Sequence, residues 1–316
     1  MGVNIGVDNT SYAIVDIRGN VIAQGHFPTI EHTSVTDFVS YLSENLVELM
    51  EANGGYESIR SVGIGVPSGN FVKGCIEYSP NLPWKGEIPL ATMMRDQLGM
   101  AVAIGNNAHV RALGEHAFGI AHGMNDFILV TLGPGMGSSV FSGGRPHLGN
   151  EGFAGEIGHL CVNPMGRHCR CGSRGCLEAY CAESGIIRTV QKVLKNSDKP
   201  SLMRGVEDIK PKDVTAFCEQ GDELAIDVYR RTGEMLGIGL ANYASVIDPE
   251  AIIFTGGISR AGHWLLDPAK KVFEENVFHN LRGRVKFLLS TFTDIERSVL
   301  GASALAWEVK EYSLFK

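Results

Sequence analysis

His159, Cys169, Cys171 and Cys176 lie within 18 positions and supply one imidazole and three thiols. That is the ligand count and type of a closed tetrahedral Zn²⁺ site. Gly166, Gly172 and Gly175 let the chain turn tightly around an ion. The segment has little apolar content of its own, so a bound metal would supply the energy that folds it. The competing reading is a glycine-rich loop of reduced thiols. Cys161 and Cys181 fall in the same segment and are left as non-ligands, while Cys75 and Cys218 read as buried thiols. Seven cysteines, five of them crowded together, do not suit a secreted disulfide framework.

The elements that must hold this loop follow from periodicity and turns. Residues 3–7, 12–16 and 21–27 read as three short strands, with turn residues at Asp8-Asn9-Thr10 and Arg18-Gly19-Asn20. Val35, Phe38, Val39, Leu42, Leu46 and Leu49 recur at helical spacing, which predicts a helix from Ser34 to about Ala52, capped by Thr33 or Ser34. A strand at 61–66, a helix near 88–98, a strand at 101–104 and a helix at 107–118 complete an α/β lobe. A second strand-turn-strand unit then begins: strand 127–132, turn Gly133-Pro134-Gly135-Met136-Gly137, return strand 138–141. A helix around 222–247, a strand at 251–254, a glycine turn at Gly256-Gly257, a helix from about 263 and a final helix at about 298–311 follow. A hairpin repeated at the start of each half outlines an actin-like (ribonuclease H-like) duplicated α/β fold. It predicts two lobes facing an interlobe cleft, the second carrying the zinc loop.

A chain of 316 residues exceeds what one core usually organises, which also favours two lobes. The division expected is 1–118, completed by the C-terminal helix 298–316, and 119–297 with the zinc loop at 159–176. Glycine, at 39 residues, exceeds ordinary usage and points to many tight turns or ligand loops. Basic residues number 28 against 35 acidic, and the net charge of −7 gives no diffuse attraction to nucleic acid or anionic membrane. The N-terminus lacks the basic and apolar regions of a signal peptide, and no apolar run approaches the roughly 20 residues of a membrane span. A cytoplasmic protein with no nucleic-acid or membrane partner is expected, as a homo-oligomer, dimer or tetramer.

The stretch Gly155-Glu156-Ile157-Gly158-His159, continuing through Cys169-Arg170-Cys171-Gly172-Ser173-Arg174-Gly175-Cys176-Leu177-Glu178, resembles the ROK family of repressors and sugar kinases. The resemblance runs over essentially the whole chain, through Ser79-Pro80-Asn81-Leu82-Pro83-Trp84, Asn106-Asn107-Ala108, Thr131-Leu132-Gly133-Pro134-Gly135 and Thr255-Gly256-Gly257, and is strongest toward the bacterial glucokinase branch. No helix-turn-helix precedes residue 1, unlike the repressor branch. The resemblance implies an ATP-dependent hexose 6-kinase. Asn81, Asn106, Glu156, His159 and Glu178 would hold sugar hydroxyls. Asp8 would help hold Mg²⁺, and Gly133, Gly135, Gly137, Gly256 and Gly257 would line ATP. His159 would bind zinc through one ring nitrogen and face the sugar with the other.

Three departures bear on activity. The family has Asn-Asp-Ala where this chain has Asn106-Asn107-Ala108, and the aspartate there takes the proton of the sugar 6-hydroxyl. Asn107 cannot, and loss of a positioned base typically costs ~10²–10⁴-fold. The family pattern Asp-x-Gly-Gly-Thr in the first hairpin is replaced by Asp8-Asn9-Thr10-Ser11-Tyr12, about four residues shorter. A true deletion and a loop missing from the sequence as given both fit. Pro134 replaces the usual threonine of the second hairpin and brings neither hydroxyl nor N–H. The alternative reading is a non-catalytic sugar-binding protein or sensor derived from a sugar kinase.

Overall fold

The two halves of the chain build sheets of the same order and sense. In the computed structural model, which describes residues 1–79 and 82–312, the first half runs β1 (Gly2–Ile5), β2 (Asn9–Val15), β3 (Val21–Pro28), α1 (Val35–Ala52) and β4 (Ser61–Val66). It continues through β5 (Gly69–Asn70), β6 (Cys75–Glu77), β7 (Glu87–Ile88), α2 (Leu90–Leu98), β8 (Ala101–Asn106) and α3 (Asn107–Phe118). The second half runs β9 (Phe127–Leu132), β10 (Met136–Ser142), β11 (Arg145–Pro146), α4 (Glu178–Cys181), α5 (Glu183–Lys195), α6 (Pro211–Glu219) and α7 (Glu223–Ile247). It ends with β12 (Ala251–Thr255), α8 (His263–Asn276), β13 (Lys286–Leu289) and α9 (Asp294–Tyr312).

Among the described residues one sheet has the order β3-β2-β1-β4-β8 and the other β11-β10-β9-β12-β13. In each, the first three strands are antiparallel neighbours and the last two are added in parallel. This is the actin-like duplication. The central parallel strand β12 is buried on both faces and is correspondingly apolar: Ala251, Ile252, Ile253 and Phe254 are all fully buried.

Two compact units result, one of residues 1–124 and 148–154 with Thr291 onward, the other of 125–147 and 155–290. The segment 148–154 groups with the first unit because Asn70 Nδ2 donates to the Glu151 carbonyl at 2.9 Å. The last helix also belongs there. It lies on β1 and β4 over glycines: a Cβ on Gly63 would strike the Ala302 carbonyl, and one on Gly2 the Val299 carbonyl. A buried ion pair, Arg297 Nε to Glu115 Oε1 at 3.1 Å, ties it to α3.

Local chemistry explains the element ends. Ser34 caps α1, Asn106 caps α3 by accepting from the Ala108 N–H at 2.9 Å, and Asp222 caps α7 through Leu224 and Ala225. Two expectations change. The turn read at Asp8-Asn9-Thr10 lies two positions earlier, at 6–8, because Thr10 points inward to share a 2.8 Å hydrogen bond with Thr29 and so extends β2 back to Asn9. The helix read from 88 begins at Leu90, after Pro89, because Glu87 and Ile88 pair with β6 in a small antiparallel sheet.

Candidate functional site

The metal loop spans the region between β11 and α4. The His159, Cys169, Cys171 and Cys176 ligand atoms all lie within 4.8 Å of one another. Cys171 Sγ is 3.7 Å from Cys176 Sγ, and Cys169 Sγ is 3.9 Å from His159 Nδ1. With Zn–S near 2.3 Å, tetrahedral geometry demands sulfur–sulfur edges of about 3.8 Å. The residues therefore fit a metal ion in both donor type and spacing. Hydrogen bonding by the Ser173 backbone, foremost, pushes the Cys171 thiol down to about 6, while burial pushes Cys176 up to about 12.

Arg167 anchors the loop to the helices that follow. Its guanidinium donates to the Ala179 and Gly185 carbonyls at 3.1 and 2.7 Å and to Thr189 Oγ1 at 2.9 Å, and it stacks 4.7 Å from the Tyr180 ring centre. Nothing in its spacing marks it, since its partners, two backbone carbonyls, a hydroxyl and a ring, all lie more than ten residues away.

Glu156 and Glu178 flank the same loop. Glu178 opens α4, and its Oε2 accepts from the Met136 N–H at 2.9 Å, beneath the turn between β9 and β10. Its Oε1 lies 3.8 Å from Cys169 Sγ. Glu156 keeps part of its surface open, yet protein packed around its carboxyl group raises its proton affinity; His159 opposes the shift and Glu178 adds to it. Ser138 on β10 positions this segment, donating to the Gly155 carbonyl and accepting from the Ile157 N–H at 2.9 Å. Glu156, His159 and Glu178 are thus assembled within one unit.

The glycine turns of that unit also meet. Gly133 N–H donates to the Gly135 carbonyl at 3.0 Å, with Pro134 and Gly135 exposed at the tip. Gly137 lies within β10, opposite Thr131. Gly256 adopts φ +88°, and a Cβ there would strike the Leu132 carbonyl, so the Gly256-Gly257 turn packs against the strand end that leads into Gly133. Gly133 and Gly257 have open space where a side chain would project. Thr131 and Thr255 are paired in register at the carboxyl ends of β9 and β12, and both Oγ1 atoms are buried without a partner. Ligands of α/β sheets bind beyond such strand ends, and two bare glycine turns there suit a phosphate-bearing ligand.

Asp8, Asn106 and Asn107 lie in the other unit. Asn81 falls outside the described residues. Asn106 spends its Oδ1 as the cap of α3. Asn107, the first residue of α3, turns its amide inward: Nδ2 faces the Ile5 carbonyl at 3.5 Å, and Oδ1 is buried over Gly65 with no partner. Asp8 stands exposed at the tip of the first hairpin, which closes as a tight turn through the Gly6 N–H to Asn9 carbonyl bond of 2.9 Å.

Residues 1–309 match the ROK family. A glucokinase of Streptomyces coelicolor is 30% identical, covering 98% of this chain and 97% of that protein. The transcriptional dual regulator NagC of Escherichia coli is 28% identical over 96% of this chain and 74% of its own. Among solved structures, a ROK family glucokinase from Streptomyces griseus, in complex with glucose and AMPPNP, superposes with a TM-score of 0.74 at 29% identity, covering 97% and 98% of the two chains. A match of this extent, on a duplicated fold with a His-Cys₃ loop set between the paired carboxylates Glu156 and Glu178, makes the chain a member of the ROK family.

Proposed function

We propose that the chain is an ATP:hexose phosphotransferase of the glucokinase type whose transfer step is slowed by the groups that replace the family's phosphate-handling residues. Asn106, Glu156, His159 and Glu178, with Asn81, hold the sugar. These groups offer both donors and acceptors, which a polyhydroxylated ligand needs when water is excluded. The Gly133, Gly135, Gly137, Gly256 and Gly257 backbone receives ATP, and Asp8 contributes to Mg²⁺. Zinc on His159, Cys169, Cys171 and Cys176 fixes the loop and the orientation of the His159 ring. The protein works in the cytoplasm as a homo-oligomer.

The observation that carries the proposal is Asn107. In transfer to the 6-hydroxyl, the attacking oxygen must surrender its proton as its bond to the γ-phosphorus forms. An amide at the start of α3 can accept a hydrogen bond from that hydroxyl, and its buried Oδ1 lacks a partner, but it cannot take the proton away. Binding is retained and turnover is lowered.

The same residue favours a second reading, a sugar sensor without catalysis, because its Nδ2 is directed to Ile5 at the root of a hairpin that closes without the longer phosphate loop. Thermal unfolding with and without glucose, combined with an ADP-release assay, tests both. A midpoint raised by glucose and absent from Glu156→Ala supports the sugar site. A shift that persists in Glu156→Ala refutes its placement, and measurable ADP release excludes the sensor.

A further inference from the structure

Cys161 stands directly across from the metal-loop residue Cys176, the two forming an antiparallel bridge. The bonds on either side, Val162 N–H to the Gly175 carbonyl and Leu177 N–H to the Leu160 carbonyl, both 2.9 Å, make them a pair that shares no hydrogen bonds of its own. In such a pair the Cα atoms lie about 4.5 Å apart and the side chains leave the same face. That spacing falls within the range a disulfide spans, about 4.4–6.8 Å. The approach depends on Gly175, at φ +82°, where a Cβ would collide with the Asn163 carbonyl and lie 3.1 Å from Cys161 Sγ. Cys161 is exposed and Cys176 is 1% exposed, so a solvent oxidant meets Cys161 first. The Cys161 thiol donates to the Arg174 carbonyl at 3.5 Å.

We propose that Cys161 is an oxidation site that dismantles the metal centre, forming a disulfide with Cys176 in response to hydroperoxides; its metal-releasing consequence rests on the zinc reading above. The Cys161 thiolate attacks a peroxide oxygen, the O–O bond breaks, and Cys161 becomes a sulfenic acid with hydroxide or alkoxide leaving. The Cys176 sulfur then attacks the Cys161 sulfur, forming the S–S bond, and its proton leaves with the expelled hydroxyl as water. Two thiols lose two electrons in all, and hydrogen peroxide is reduced to two waters. With Cys176 tied up, the His159, Cys169 and Cys171 set is one ligand short of a closed site, and the loop loses the energy that folds it.

The test treats the purified full chain, and separately Cys161→Ser, with hydrogen peroxide. Metal content is measured beforehand, zinc release is followed with a chromogenic chelator, and disulfide-linked peptides are mapped by mass spectrometry. The native chain is expected to release zinc on the order of tenfold faster than Cys161→Ser, with a Cys161–Cys176 crosslink that thiol reductant reverses. Equal release rates, or crosslinks joining Cys176 to Cys169 or Cys171 instead, overturn the inference. Should Cys161→Ser fold poorly, the crosslink map of the native chain decides alone. A chain purified without zinc defeats the metal assignment, and the crosslink then still decides the pairing.

Discussion

Glu178 Oε2 accepts a 2.9 Å hydrogen bond from the backbone N–H of Met136. One carboxylate thereby links the end of the metal loop to the turn between β9 and β10, while its second oxygen accepts from Cys169 Sγ at 3.8 Å. Glu178→Ala strands the Met136 N–H and is expected to cost about 1–3 kcal/mol. Glu178→Gln keeps an acceptor and should unfold near the native temperature while losing most of the glucose-induced shift. Thermal unfolding with and without glucose distinguishes the two. A Glu178→Gln chain that keeps the full glucose-induced shift would mean that Glu178 serves structure alone.

Metal should be held at about one Zn²⁺ per chain. Elemental analysis of protein purified without chelators checks this, and below about half an equivalent the assignment fails. Strong chelators, or Cys176→Ala, should lower the unfolding midpoint and expose the 159–176 loop to protease, since metal binding and loop folding are one equilibrium.

Asp222 supplies a test by pH. Burial alone would raise its pKa, but the Ser201 hydroxyl and the N–H groups of Ala225, Leu202 and Leu224 outweigh burial and hold it below the ordinary value. A depressed carboxylate stabilises the fold at pH above its unfolded pKa, near 3.9, and loses that contribution as pH falls through its folded value. Asp222→Ala should therefore be less stable by about 1–2 kcal/mol at pH 7, with the gap narrowing below pH about 4. A gap independent of pH would show that the charge is not what matters.

Gly63 is a packing test. Its missing Cβ admits the Ala302 carbonyl of α9, so Gly63→Ala must push a backbone away and is expected to cost about 1–3 kcal/mol or more in denaturant unfolding. A neutral result would mean that α9 does not lie where described.

How much of this was legible from residues alone follows the range of each interaction. The helix at 107–118 and the hairpin at 127–141 carry local periods and turns, and both are found there. The candidate metal loop and its glycines were legible because all four candidate ligands are close in sequence. The two-residue strands β5, β7 and β11 have no period to read, and only pairing partners create them. Arg167, Ser138 and the glycines under α9 act through contacts that spacing does not encode. Asn107 was legible as a substitution, but its inward turn toward Ile5 was not.

The central claim is that Asn107 occupies the position of the transferring base and limits turnover. Asn107→Asp replaces an amide donor with a carboxylate facing the Ile5 carbonyl, so it should cost some stability while restoring a proton acceptor. The deciding measurement is coupled ADP release with glucose and Mg²⁺-ATP on the native chain, on Asn107→Asp, and on Asn107→Asp with Asp-x-Gly-Gly-Thr rebuilt after Val7. The account predicts a slow native chain and a gain of about 10²-fold or more once the carboxylate is present, appearing in the rebuilt variant if the short hairpin also misaligns ATP. A native chain that turns over at about 1–100 s⁻¹, the ordinary range for kinases, would contradict it.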